Sequence, residues 1–305
     1  MIEGNSVTAG LVSVNGAVLF VDDRGDAAAP PLLFIHGGPG QSCYDFMAIQ
    51  GDRLARRLRV IGVDQRGTLR SGPLPAEPPL TADLLIADFE ALREQLEIES
   101  WAVLGHSDGG GYALQYVTSR PETVRAVIFD CPCWDADLTD RNRLPQVARR
   151  LEALGQRADA DRCRALAAKP GRLTAADKAY LAAQALGPHY MELYFHDPGR
   201  AAEFSRILDD SGFSEEQWQR GSSHLALLPG MYQTRLPLLP GITRPSLLLH
   251  GQDDMVTAPQ MLAQYRRSVP AGGIRTFTRS GHFAYLEEAS QYCHAVTDFV
   301  LQNAG

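Results

Sequence analysis

The chain has 305 residues, 45% of them hydrophobic and 21% charged, enough for one large α/β domain or such a domain with an inserted subdomain. With 29 basic and 36 acidic side chains the formal charge is −7, which leaves no electrostatic footprint for nucleic acid or for an anionic membrane surface. Five cysteines, Cys43, Cys131, Cys133, Cys163 and Cys293, show no metal-ligand spacing, and their odd number reads as reduced thiols in a cytosol.

In chain order, the opening MIEGNSVTAGLVSV has neither a basic start nor a long apolar core. Neither a signal peptide nor a membrane span is expected, and a cytoplasmic setting follows. Short apolar runs then recur at 17–23, 31–38, 58–67, 101–107 and 124–132, and again at 245–251 and 274–282. They are rich in Val, Ile and Leu and do not alternate, as suits strands buried on both faces of a parallel sheet. Helix-like stretches separate them. Residues 81–98 open with Thr81 as a capping residue, and 110–121, 259–270 and 289–303 carry apolar residues at helical spacing. This alternation predicts an α/β fold, a mostly parallel central sheet with helices on both faces. It breaks between about 133 and 237, where only helical patterns appear. The expected organisation is a core of 1–132 and 238–305, split by a helical insert at 133–237. There is no internal repeat and no low-complexity tract.

The run at 101–107 ends in Gly105-His106-Ser107-Asp108-Gly109. Gly-x-Ser-x-Gly between a strand and a helix makes a turn so tight that the serine is strained, its neighbours must be small, and its hydroxyl stands above the sheet edge. The N–H groups that follow begin a helix and favour an oxyanion. A serine hydroxyl needs a base and a group to orient it, and on this fold the order is Ser, acid, His. Of eight histidines only His282 follows the last strand-like run in a glycine turn, so it is the expected base. The run before it ends in HGQDD, which offers Asp254, favoured, and Asp253; Asp130 is the outside candidate. His36, His106 and His250 sit at strand–turn junctions, where packing roles are expected. The glycine loop HGGPG at 36–40 is expected to supply the Gly38 N–H as one oxyanion donor, with the Asp108 N–H as the other. It lacks the lysine and spacing of a phosphate loop.

HGGPG, DQRGTLRSG (64–72), GHSDGG (105–110), HGQDD and GHF together resemble the α/β-hydrolase superfamily, and most closely its proline iminopeptidase branch. The resemblance covers the chain outside the insert. It implies an α/β-hydrolase fold, a triad of Ser107, Asp254 and His282, a helical cap formed by the insert, and no metal or organic cofactor. It implies a serine hydrolase acting on a small molecule or short peptide, with release of an N-terminal proline as one activity. An esterase, thioesterase or lactonase acting on a small metabolite is the alternative, and a binding protein that keeps the fold is a third reading. Two departures stand out. Asp108 occupies a position where iminopeptidases commonly carry Trp. The family's cap shows Trp-x-x-Trp-Glu, whose glutamate helps bind the substrate amine, whereas here Trp218 stands alone in SEEQWQRG. Glu192, Glu215 and Glu216 are the available substitutes, and each also reads as a solvated helix face. Asp64 and Arg66 are expected to brace the loops.

Overall fold

The computed structural model describes residues 7–304. Of the opening stretch, residues 1–6 lie outside the described residues. Eight strands form one sheet: β1 (Val7–Val14), β2 (Ala17–Arg24), β3 (Pro31–Ile35), β4 (Arg59–Asp64), β5 (Trp101–His106), β6 (Val124–Asp130), β7 (Ser246–Gly251) and β8 (Gly273–Phe277). Their order is β1-β2-β4-β3-β5-β6-β7-β8. From β4 to β8 every pairing is parallel, whereas β1 with β2 and β2 with β4 are antiparallel.

That antiparallel edge corrects the reading of 17–23 as a parallel strand, and β1 was not among the expected runs. The reason is its place at the edge: Leu11 is 65% exposed, so the strand lacks the unbroken apolar character of a buried one. The hairpin turns at Asn15 and Gly16, both at positive φ (45° and 73°), as a tight turn between twisted strands demands.

Central strands feed two apolar layers by simple alternation. Ala102 and Leu104 of β5, with Leu32 and Phe34 of β3, face one layer. Trp101 and Val103, with Leu33 and Ile35, face the other. Helices cover both. On the second face lie α1 (Ala82–Gln95) and α2 (Gly109–Ser119), with Thr81 accepting from Leu84 N at 3.1 Å as the α1 cap. Between β6 and β7 every described element is helical: α3 (Ala136–Ala153), α4 (Arg157–Ala167), α5 (Ala179–Gln184), α6 (Arg200–Asp209) and shorter turns through Leu236–Gly241. Asp135 caps α3 by accepting from Asp137 N and Leu138 N. After β7 come α7 (Pro259–Ser268) on the second face and α8 (Ala289–Gln302) on the first. Parallel strands aim their C-terminal ends at one edge, where β5, β7 and β8 deliver the residues discussed next. Among the described residues no helix is long and apolar enough to cross a membrane.

Candidate active site

Ser107 follows the last residue of β5 with φ +56°, in the left-handed region. The glycines around it leave no alternative. A Cβ on Gly105 would lie 2.3 Å from Gly109 O, and one on Gly109 would lie 2.2 Å from Ile35 O. The strand, the turn and α2 are thus packed backbone to backbone. Gly37 abuts the same serine, since its Cβ would meet Ser107 Cβ at 2.6 Å. Gly38, at φ +146°, lines one cavity with Ser107 and His282. Asp108 stands at the N-cap of α2, and its side chain makes no capping bond.

His282 and Asp254 meet across the ends of β8 and β7, Nδ1 to Oδ1 at 2.8 Å. The β8 strand ends at Phe277, so His282 rides on a loop. That loop is held by the insert: His282 N donates to Tyr194 O at 2.7 Å, and a Cβ on Gly281 would strike the same oxygen at 2.5 Å. Asp254 also accepts from Val256 N at 3.0 Å and Thr257 N at 2.9 Å. Burial alone would raise its carboxyl, but the adjacent imidazole and these N–H groups outweigh burial and hold it well below the usual carboxylate range. Burial pushes the His282 imidazole below its ordinary value, and Asp254 restores it only in part. At neutral pH the pair is therefore a carboxylate beside a neutral imidazole. Its Nδ1–H donates to the carboxylate, which leaves Nε2 as the basic nitrogen.

The other acids lie elsewhere. Asp253 is exposed and pairs with His196. Asp130 accepts from His106 Nδ1 and from Tyr292 Oη, each at 2.9 Å. His36 supports the glycine loop: its Nδ1 contacts Gly37 O at 2.9 Å, its Nε2 accepts from Gln65 N at 3.2 Å, and burial lowers its pKa to about 4. Asp64 pairs with Arg70 at 2.7 Å and Arg66 with the buried Asp88.

The cavity holds about 330 Å3 and is walled by the sheet edge on one side and by insert residues on the other. Leu225, Leu228, Met231 and Phe283 form apolar wall. Beside it lies a polar cluster; its Tyr190 and Tyr194 are among the aromatics the sequence offers as lining, whereas Asp140, Arg143 and Tyr232 carry no such signal. Arg143 and Asp140, one turn apart on α3, pair at 2.6 Å. Arg143 Nη1 donates to Tyr194 Oη at 3.0 Å, and Tyr194 and Tyr190 join hydroxyls at 2.6 Å. Tyr232 Oη donates to Asp140 at 2.5 Å. All five residues line the cavity.

None of Glu192, Glu215, Glu216 and Trp218 is among the lining residues. Glu192 contacts His189 at 2.8 Å and Arg150 at 3.6 Å. Glu215 accepts from Gln219, and Glu216 pairs with Arg220 at 3.4 Å. Trp218 lies edge-on to Phe213 at the surface. Four tyrosines of the insert, Tyr180, Tyr190, Tyr194 and Tyr232, reach the cavity; Phe195 and Phe204 stack on Phe283.

Asp108 carries a partner that the sequence reading also missed. Arg235, from the end of the insert, pairs with its Oδ1 at 2.9 Å, and both side chains are nearly buried. The same guanidinium explains the third glycine of the run, because a Cβ on Gly111 would lie 2.2 Å from Arg235 Nη1. Removing one member of a buried pair strands the other charge. Arg235→Ala should therefore cost about 3–5 kcal/mol in urea unfolding, and Asp108→Asn in the same chain should return most of it. A single variant as stable as the parent would show that the pair contributes nothing.

The family model described as alpha/beta hydrolase fold matches residues 30–289. A proline iminopeptidase from Heyndrickxia coagulans is 26% identical over 296 residues, 96% of this chain and 98% of that protein. A solved proline iminopeptidase-related protein from Thermus thermophilus superposes with TM-score 0.78 at 24% identity, covering 98% of this chain and 99% of that one. An esterase from Exiguobacterium antarcticum does so with TM-score 0.67 at 20% identity, over 96% and 100% of the two chains. At such identities the two structures speak for the fold alone. A family match over most of the chain, with the serine turn and the glycine loop inside it, makes this protein a member of the α/β-hydrolase family: a proline iminopeptidase-like hydrolase.

Proposed function

We propose that the chain is a serine hydrolase that cleaves a small ester, thioester, lactone or amide through an acyl-enzyme, with Ser107 as nucleophile, His282 as base and Asp254 as its orienting acid. His282 Nε2 takes the Ser107 Oγ proton as Oγ bonds to the substrate carbonyl carbon. The N–H groups of Gly38 and Asp108 receive the developing oxyanion. The imidazolium, stabilised by Asp254, then gives its proton to the departing oxygen, sulfur or nitrogen as that bond breaks. Water repeats the sequence to free the acid. Residues 133–237 serve as a cap over the site. The setting is taken as the cytoplasm, in keeping with five unpaired thiols.

The observation that carries this reading is a cavity shared by Ser107 and His282, the latter bonded to a buried carboxylate. A fluorophosphonate should label Ser107 once per chain. The labelling rate should fall on the acid side with a midpoint below the ordinary imidazole value of about 6.5, because the neutral form is the base and burial lowers its pKa. A label on another residue, or a midpoint above that value, would defeat the assignment.

Release of an N-terminal proline is the second reading, drawn from the activity named for the Heyndrickxia coagulans relative. A substrate ammonium needs a free carboxylate in the cavity. Among the described lining residues only Asp140 carries one, and it already pairs with Arg143 and Tyr232. This weighs toward esters and their relatives.

A further inference from the structure

The polar cluster of the cavity has an imbalance. Arg143 has five N–H donors, yet only Nη1 and Nη2 have recorded partners, Tyr194 and Asp140. Its Nε is buried without a partner, in a residue only 9% exposed that lines the cavity. The phenols add to the surplus. Tyr194 accepts from Arg143, so its own proton can serve Tyr190, which frees the Tyr190 proton for something else. On the acceptor side Asp140 is the only carboxylate among the described lining residues, and both its oxygens are engaged. The wall therefore keeps donors in reserve and has no free carboxylate among its described residues. The Nε is itself closed to solvent, so the guanidinium's second Nη protons, one on each nitrogen, are the charged donors left for an acceptor oxygen in the cavity.

We propose that Arg143, with Tyr190, receives an acceptor oxygen, a carboxylate or a carbonyl, carried by the substrate apart from the carbonyl that Ser107 attacks. The substrates would then be acyl compounds with a second oxygenated group, not plain alkyl esters. This rests on the nucleophilic role given to Ser107. The placement is compact. The Tyr194 ring lies 5.6 Å from the His282 ring, and its hydroxyl is already in contact with Arg143. One tyrosine thus spans from the base to the guanidinium, and a short bifunctional acyl chain could lie along it. Tyr190 and Tyr194 come from the turns after α5, whereas Arg143 and Asp140 come from α3, so the receptor is built between two parts of the insert.

The test compares three 4-nitrophenyl esters of similar length: pentanoate, 4-oxopentanoate and the monoester of glutaric acid. In the wild-type protein kcat/KM should be at least about tenfold higher for an oxygenated ester than for pentanoate. A lead for glutarate identifies a carboxylate, and equal rates for the two oxygenated esters identify a neutral carbonyl. Arg143→Gln and Tyr190→Phe should each pull the ratio toward one. Pentanoate as the best substrate, or a ratio that Arg143→Gln leaves intact, overturns the proposal. Loss of the ion pair could unfold Arg143→Gln, so binding is also measured by calorimetry on Ser107→Ala, with monomethyl glutarate and methyl 4-oxopentanoate against methyl pentanoate. Tighter binding of an ester with a second oxygenated group supports the receptor even if no ester is cleaved, in which case the hydrolase reading alone fails. Equal binding of all three overturns the receptor while leaving hydrolysis standing.

Discussion

Ser107→Ala should lower kcat by about 10⁴- to 10⁶-fold on any ester or amide the protein cleaves. The fold should survive. Alanine keeps the Cβ that Gly37 packs against and loses only the hydroxyl that faces the cavity. The left-handed backbone, at φ +56°, is as strained for serine as for alanine, so the substitution adds no new strain. The measurement is an initial rate with an aryl ester, beside a thermal melt. Turnover within tenfold of the parent in a folded variant would mean that another residue attacks the substrate, and the serine turn after β5 would then be an inherited turn without chemistry.

Asp254→Asn should lower kcat by about 10⁴-fold. Val256 N donates to Oδ1 and Thr257 N to Oδ2, so an amide whose oxygen takes the Oδ2 site keeps the Thr257 bond and gives up the Val256 bond. An amide N–H2 turned toward His282 Nδ1 would require an acceptor there, which moves the imidazole proton to Nε2, where the base must be free. The charge that stabilises the imidazolium is also lost. A pH profile of kcat/KM separates the two effects. A lost carboxylate lowers the His282 pKa further and moves the acid limb down, while the wrong tautomer depresses the plateau. A variant at full plateau would remove Asp254 from the chemistry.

Much of this site could be read locally. Ser107, Gly38 and His282 each lie within a few residues of a strand end and beside glycines, so a turn's sterics announce them without knowledge of the fold. The central strands were legible for a similar reason, being buried on both faces and hence uninterrupted in composition. The edge strand β1 was not, because an exposed face breaks that composition. The cavity lining was the least legible part. Arg143 meets Tyr194 across 51 residues of sequence, Tyr232 meets Asp140 across 92, and Arg235 meets Asp108 across 127. On a helix an Asp and an Arg three apart look like any solvated pair, and only tertiary packing turns them inward. The glutamates of the insert illustrate the converse. Glu215 and Glu216 occupy the first turn of Glu215–Gln219, behind Ser214 as cap, where negative charge suits a helix start without any ligand.

The pairing of Asp108 with Arg235 also bears on how this chain can change over generations. Each charge is tolerable in its buried place only because the other is there. A lineage that alters one position first must pass through a poorly folded intermediate, so the two positions should drift as a unit. Descendants with an apolar residue after Ser107 should have exchanged Arg235 as well. A library randomised at either position alone should return the parental residue, and one randomised at both should return apolar pairs alongside it.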